Sequence, residues 1–152
     1  MVKKIISIIF LFLYCISSVK TREEFPLKEM IGEWEGKGKI IVTWCKKKTL
    51  FCSLTILPQG KVEGKIGDAE IKEGVIKKNS PILVWLGNPR YIIFATLKGP
   101  IVKEENIYRE SIKLVVDFED DKFIGGFHTS GGKFNGKKSM MLSGTELILL
   151  RK

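Results

Sequence analysis

Gly32-Glu-Trp-Glu-Gly-Lys-Gly-Lys-Ile-Ile-Val-Thr-Trp44 repeats with a period of two. Trp34, Gly36, Gly38, Ile40, Val42 and Trp44 fall on one side, and Glu33, Glu35, Lys37 and Lys39 on the other. That alternation describes a β-strand with a solvated outer face. A tryptophan at each end of the inner face brings a large apolar area to bury. The glycines between them let the strand bend, or let another backbone approach, as at a barrel corner.

Outward from this stretch, segments of strand type recur with turn signals between them. Leu50–Leu57 stops at Pro58-Gln-Gly60, and Lys61–Ile66 leads into Gly67-Asp68, a two-residue hairpin turn with glycine first. Ala69–Ile76, Ile82–Leu86 and Tyr91–Leu97 follow, separated by Asn79-Ser-Pro81, Gly87-Asn-Pro89 and Gly99-Pro100. Ile107–Phe118 is the longest, and the charged turn Glu119-Asp-Asp121 leads to Lys122–His128. Lys137–Leu142 and Thr145–Leu150 are expected to close the set as a hairpin around Ser143-Gly144. Tyr91, Phe94 and Trp85 read as core. No long segment carries a helical period; only Pro26, at the head of Leu-Lys-Glu-Met, favours a short helical turn. About eight to ten short strands at even spacing predict an all-β chain, a single antiparallel up-and-down barrel. Closure in that form removes the edge strands.

The flanking composition bounds the class. With 152 residues, 44% hydrophobic, the chain suits one domain with a real core. Net charge is +9, yet only four of the 26 basic residues are arginines: Arg22, Arg90, Arg109 and Arg151. Lysine is a hydrated point charge, poor at bidentate readout, so specific nucleic-acid recognition is not expected. A cationic surface that favours an anionic envelope component is. Lys3 and Lys4 precede the apolar run Ile5–Ile16, then Ser17 and Ser18, which is the layout of an export signal over residues 1–17. The run is shorter than the roughly twenty residues of a spanning helix. A leader with a helical turn would occupy 18–30 and the barrel 31–152. The expected location is periplasm, cell envelope or outside the cell. Cys15 allows a second reading as a lipid-acceptor cysteine, against which stands Tyr14, where a small residue is wanted.

Cys45 and Cys52 flank a lysine-rich turn whose centre falls between Lys48 and Thr49. They would then face each other across a hairpin. In an oxidising compartment a cross-strand disulfide is the expectation, worth about 2 kcal/mol at best for so small a loop. Two cysteines and a distant histidine do not make a zinc site.

Gly32-x-Trp34 near the start of a small exported β-protein resembles the opening of the calycins, which include lipocalins and fatty-acid-binding proteins. The longer Gly32-x-Trp34-x-Gly36-x-Gly38 looks most like the start of nitrobindin-type barrels. The resemblance covers motif residues only over Gly32–Gly38. It implies a barrel whose first-strand tryptophan packs at the closed base beneath a basic residue of the last strand, and Arg151 is the counterpart by position. In nitrobindin-like barrels a late histidine binds haem iron; His128 stands late in this chain, without other haem signature nearby.

No catalytic constellation is visible. His128 is the only histidine, and no Gly-x-Ser-x-Gly elbow exists. Gly131–Lys138 approaches a phosphate-binding loop, but Lys138 takes the hydroxyl position and a strand is expected to follow it. It reads as a barrel-mouth loop in which Phe134, Lys133, Lys137 and Lys138 would meet an anionic ligand or surface. Glu119, Asp120 and Asp121 read as a solvated turn. Glu33 and Glu35 lie on the outer face, away from any buried acid–base pair. The expectation is therefore a non-enzymatic barrel, without cofactor, binding a small apolar ligand. Its cavity would be lined by Trp34, Ile40, Val42, Trp44, Leu114, Val116 and Phe127. The alternative is an envelope interaction protein with a filled interior and a basic surface. Inward glycines argue for space, and the tryptophans against it.

Overall fold

The computed structural model describes residues 27–138 and 140–152. The export signal expected over 1–17, the Cys15 lipidation site and Pro26 lie outside the described residues. The chain proceeds through α1 (Leu27–Met30), β1 (Gly32–Ile40), β2 (Thr49–Ile56), β3 (Val62–Ile66) and β4 (Ala69–Lys78). Then come α2 (Pro81–Trp85), β5 (Tyr91–Lys98), β6 (Pro100–Val102), β7 (Ile107–Tyr108) and β8 (Ser111–Glu119). β9 (Lys122–Ser130), β10 (Lys133–Phe134), β11 (Lys137–Lys138) and β12 (Ser143–Arg151) complete it.

Eight strands close into an antiparallel barrel, β1-β12-β9-β8-β5-β4-β3-β2, the up-and-down form expected from the alternation. Four short strands, β11-β10-β7-β6, make a second sheet from the upper loops. The expected turns are found. Gly67, at φ 60°, turns Ile66 onto Ala69, and Asp120 and Asp121, at φ 51° and 56°, turn Glu119 onto Lys122. The first strand bends where its glycines allow it: a Cβ built on Gly36 would overlap the carbonyl oxygen of Ile148 in β12.

Four expectations are corrected. β1 ends at Ile40, so Val42 and Trp44 belong to the loop that follows and are half-buried. Ile82–Leu86 is not a strand: Pro81, at the first helical position, starts a helical turn. That turn carries Trp85 out of the core, 83% exposed. Ile107–Phe118 is two strands, because Ile107 and Arg109 face inward on odd positions whereas Ile112, Leu114 and Val116 do so on even ones. The closing pair is not a hairpin at Ser143-Gly144; there β12 pairs with β9, Ser143 opposite His128 and Gly144 opposite Phe127.

The expected disulfide is also absent, for a reason of register. β1 pairs Gly36 with Cys52 and Lys39 with Thr49, which centres the connection on Trp44. Cys52 therefore faces a glycine within the barrel, and Cys45 lies in the loop; both are free thiols and buried.

Candidate functional site

Three regions hold the side chains singled out above: the base of the barrel, its interior and its upper end. At the base, α1 crosses beneath Trp34, whose indole N–H donates to the carbonyl of Met30 at 2.8 Å. Phe123 meets the indole edge-on at 4.7 Å and Phe118 at 5.8 Å. From the last strand, the Arg151 guanidinium lies over the ring, 4.4 Å from its centroid. It donates to the carbonyls of Ile31 and Glu29 and to both carboxylate oxygens of Asp121. The Arg151 hydrogen bond holds the Asp121 carboxyl below its ordinary range, and the same bond raises the guanidinium. This is the geometry anticipated for Arg151: one planar cation spans the start of the first strand, the last strand and the β8–β9 turn.

In the interior, five of the seven residues expected to line a cavity are buried in the core. Trp34, Leu114 and Val116 are fully buried, Ile40 is 2% exposed and Phe127 3%. Leu54, Ile66, Ile93, Phe123 and Leu149 from the facing walls are likewise at 0–2%. The inward glycines do not leave room. A Cβ on Gly38 would lie 2.9 Å from the ring of Phe127, so the aromatic occupies that space. Burial pushes the thiol of Cys52 up to about 12, so it stays protonated.

The upper end gathers Val42 and Trp44 away from the interior. Trp44 packs on Phe134 at 5.7 Å, and the Arg109 guanidinium lies 5.4 Å from its centroid. Arg109, only 2% exposed, donates to the carbonyls of Gly131 and Met140. It thereby ties the β9–β12 connection to the start of β8. Beside it Glu105 accepts from the backbone N–H groups of Lys46 (2.9 Å) and Lys47 (2.7 Å). Burial alone would raise Glu105, but those donors prevail and its carboxyl is lowered. The thiol of Cys45 donates to the same carboxylate at 3.7 Å; burial, and then the charge of Glu105, raise it. This thiol is suppressed rather than activated.

Arg109 was not legible as a functional or structural anchor, although the change of parity between Ile107 and Ile112 marks the break where it turns inward. Asn135-Gly136 was a stronger missed signal. With φ values of 49° and 78° these residues make the tight turn that pairs Phe134 with Lys137, so Gly131–Lys138 is a hairpin and not a phosphate loop. Phe134 is taken up by Trp44, leaving Lys133, Lys137 and Lys138 exposed.

His128 does not fit a haem ligand. Phe127 and Thr129 turn inward on either side of it, and His128 stands on the outer wall between Lys113 and Ser143. Burial, then the charge of Lys113, lowers its pKa. Among the described residues no group of three or more His, Cys, Asp or Glu is placed to hold a metal ion. On the outer wall a groove of about 880 Å³ passes over β12, β1 and β2, with Phe51, Ile148 and Leu150 as its apolar floor and Lys37 and Lys65 at its sides. Compared with protein-family models, with curated proteins and with solved structures, the chain matches none.

Proposed function

We propose that this chain is an exported, non-catalytic barrel that works as a rigid scaffold, meeting an anionic component of the cell envelope through its surface. The packing of the inner wall carries this reading. A carrier of a small apolar molecule keeps an apolar space of roughly 300 Å³ or more. Here the opposed walls meet at Trp34, Leu54, Ile93, Leu114 and Val116 with 0–2% exposure. Outside residues 1–17, 24 basic residues stand against 17 acidic ones, and this excess supplies the attraction to an anionic surface. We read the barrel as calycin-like, on the strength of Arg151 lying 4.4 Å over the first-strand tryptophan. Export rests on the charged and apolar layout of residues 1–17.

Native mass spectrometry of the chain purified from its own cells, combined with titration by a fluorescent fatty acid and an anilinonaphthalene dye, tests the scaffold. The expected result is a mass free of any bound apolar molecule and no saturable uptake of either probe. A stoichiometric apolar ligand, or uptake abolished by Leu114→Trp, would replace the scaffold with a carrier.

A further inference from the structure

Among the described residues, the β4–β5 connection exposes a cluster of large apolar side chains on a segment tied down by hydrogen bonds. α2 buries none of its residues. Ile82, Leu83, Trp85 and Leu86 are 68%, 43%, 83% and 63% exposed. A helix of this length has no stability of its own. It is pinned from below. Asn79 donates through Nδ2 to the carbonyl of Pro89 at 2.9 Å, and its Oδ1 accepts from the Ser80 N–H at 2.9 Å. Asn88 donates to the carbonyl of Leu83 at 3.0 Å. Water gives no reason to fix large apolar side chains outward in this way, because their exposure is unfavourable in proportion to area.

The surroundings identify what covers them. The tip projects from the end of the barrel where β4 passes into β5. It carries a tryptophan, the residue suited to the boundary between headgroups and acyl chains. Lys77, Lys78 and Arg90 form a collar at its root, and no acidic residue occurs between Glu73 and Glu104. Of the acidic groups at this end, Asp117 accepts from the Arg90 N–H at 2.9 Å and Asp121 is held by Arg151, while Glu119 and Asp120 face solvent in the β8–β9 turn. Lys78 and Tyr91 at the ends of β4 and β5 pair one step from Val116, so α2 projects from the same end of the barrel as α1. The barrel itself is no spanning one. Its outer wall carries Glu33, Glu35, Lys37, Lys39, Glu70 and Lys72 where a lipid-facing band would be apolar.

The geometry points to a bilayer contact: the base of the barrel rests on an anionic membrane, with Ile82, Leu83, Trp85 and Leu86 inserted at the headgroup–acyl boundary and Lys77, Lys78 and Arg90 among the lipid phosphates. This rests on the reading of the barrel as a scaffold that acts through its surface, and it names the surface and the partner.

The full chain, mixed with vesicles of phosphatidylethanolamine and phosphatidylglycerol containing acyl-brominated lipid, tests it. Trp34 is fully buried and Trp44 is half-buried at the opposite end, so the difference between the native chain and Trp85→Phe reports Trp85. Trp85 emission is expected to shift blue and to be quenched by the brominated acyl chains, a signal that Trp85→Phe lacks while its circular dichroism stays native. The pair Ile82→Ser and Leu86→Ser is expected to reduce that quenching. Arg90→Gln is expected to weaken it in vesicles with phosphatidylglycerol and not in phosphatidylcholine alone. Trp85 emission that stays water-like and open to aqueous iodide on vesicle-bound chain overturns the contact. So does shielding of Trp85 by an envelope protein extract but not by lipid. Neither result touches the filled interior, which is read separately by probe uptake.

Discussion

Arg151 joins parts of the chain that are far apart in sequence. Its guanidinium binds an indole face, backbone carbonyls around α1 and a carboxylate in the β8–β9 turn. Arg151→Ala is expected to cost about 2 kcal/mol in urea unfolding, from the lost cation–π contact and the carbonyls left without a donor. Arg151→Lys should recover less than half of that, because an ammonium cannot span the same partners. His128 makes a pH-dependent contribution of definite sign. Its pKa is depressed in the folded state, so the folded chain binds fewer protons than the unfolded one. Stability is then fully present above about pH 6.5 and declines as pH falls through the folded value. His128→Gln should flatten that part of the curve of unfolding midpoint against pH. The thiols test the corrected register: Cys45 and Cys52 should resist a thiol reagent in the native protein and both react once it is unfolded.

At the scale of the element, β1 was read correctly along its first nine residues and incorrectly beyond Ile40. Alternation continues through Val42 and Trp44 in the sequence, but a strand lasts only as long as it has partners. The last ladder bonds run from the Ile40 N–H to the carbonyl of Lys48 and from the Ile41 N–H to that of Ser143, where β12 begins, and Val42 and Trp44 lie beyond them. Ile82–Leu86 failed for a related reason. A short apolar run fits a buried strand or a helical turn equally well, and Pro81 with Asn79 tipped it to the turn. The bend of β1 supplies the element's own test. Gly36→Val should prevent β1 and β12 from pairing, because the added side chain meets backbone rather than a movable side chain. Loss of the native circular dichroism spectrum would show it. Gly87→Ala, at φ 89° with open space beside it, should cost only about 1 kcal/mol.

At the scale of the whole molecule, α1 with Trp34 lies at one end of the barrel, the small sheet with Trp44 at the other, and the inward side chains between them are buried. Each wall is packed on the one facing it, so a deletion in the interior leaves a void that cannot collapse freely. Leu114→Ala is expected to cost roughly 2–5 kcal/mol and to create a site for xenon or benzene that the native protein lacks. Ligand uptake by this variant alone would be consistent with the filled interior. Closure joins β1 to β12 across most of the chain, so folding should be slow for this size, in the range of about milliseconds to seconds by stopped-flow fluorescence.

Period-two alternation with glycine and proline punctuation sufficed, from sequence alone, to place this chain as a closed antiparallel barrel, while the cation over its first tryptophan was implied by the resemblance to the calycins. These are local or one-dimensional signals, carried by residues whose side-chain direction follows directly from backbone geometry. Whether the interior would be empty, where the two cysteines would lie, and which way Trp85 would face belonged to the tertiary structure. Each depends on register and on what stands opposite. A one-residue difference in where a hairpin turns reassigns every partner, and the volume inside a barrel depends on the side chains of all eight strands together.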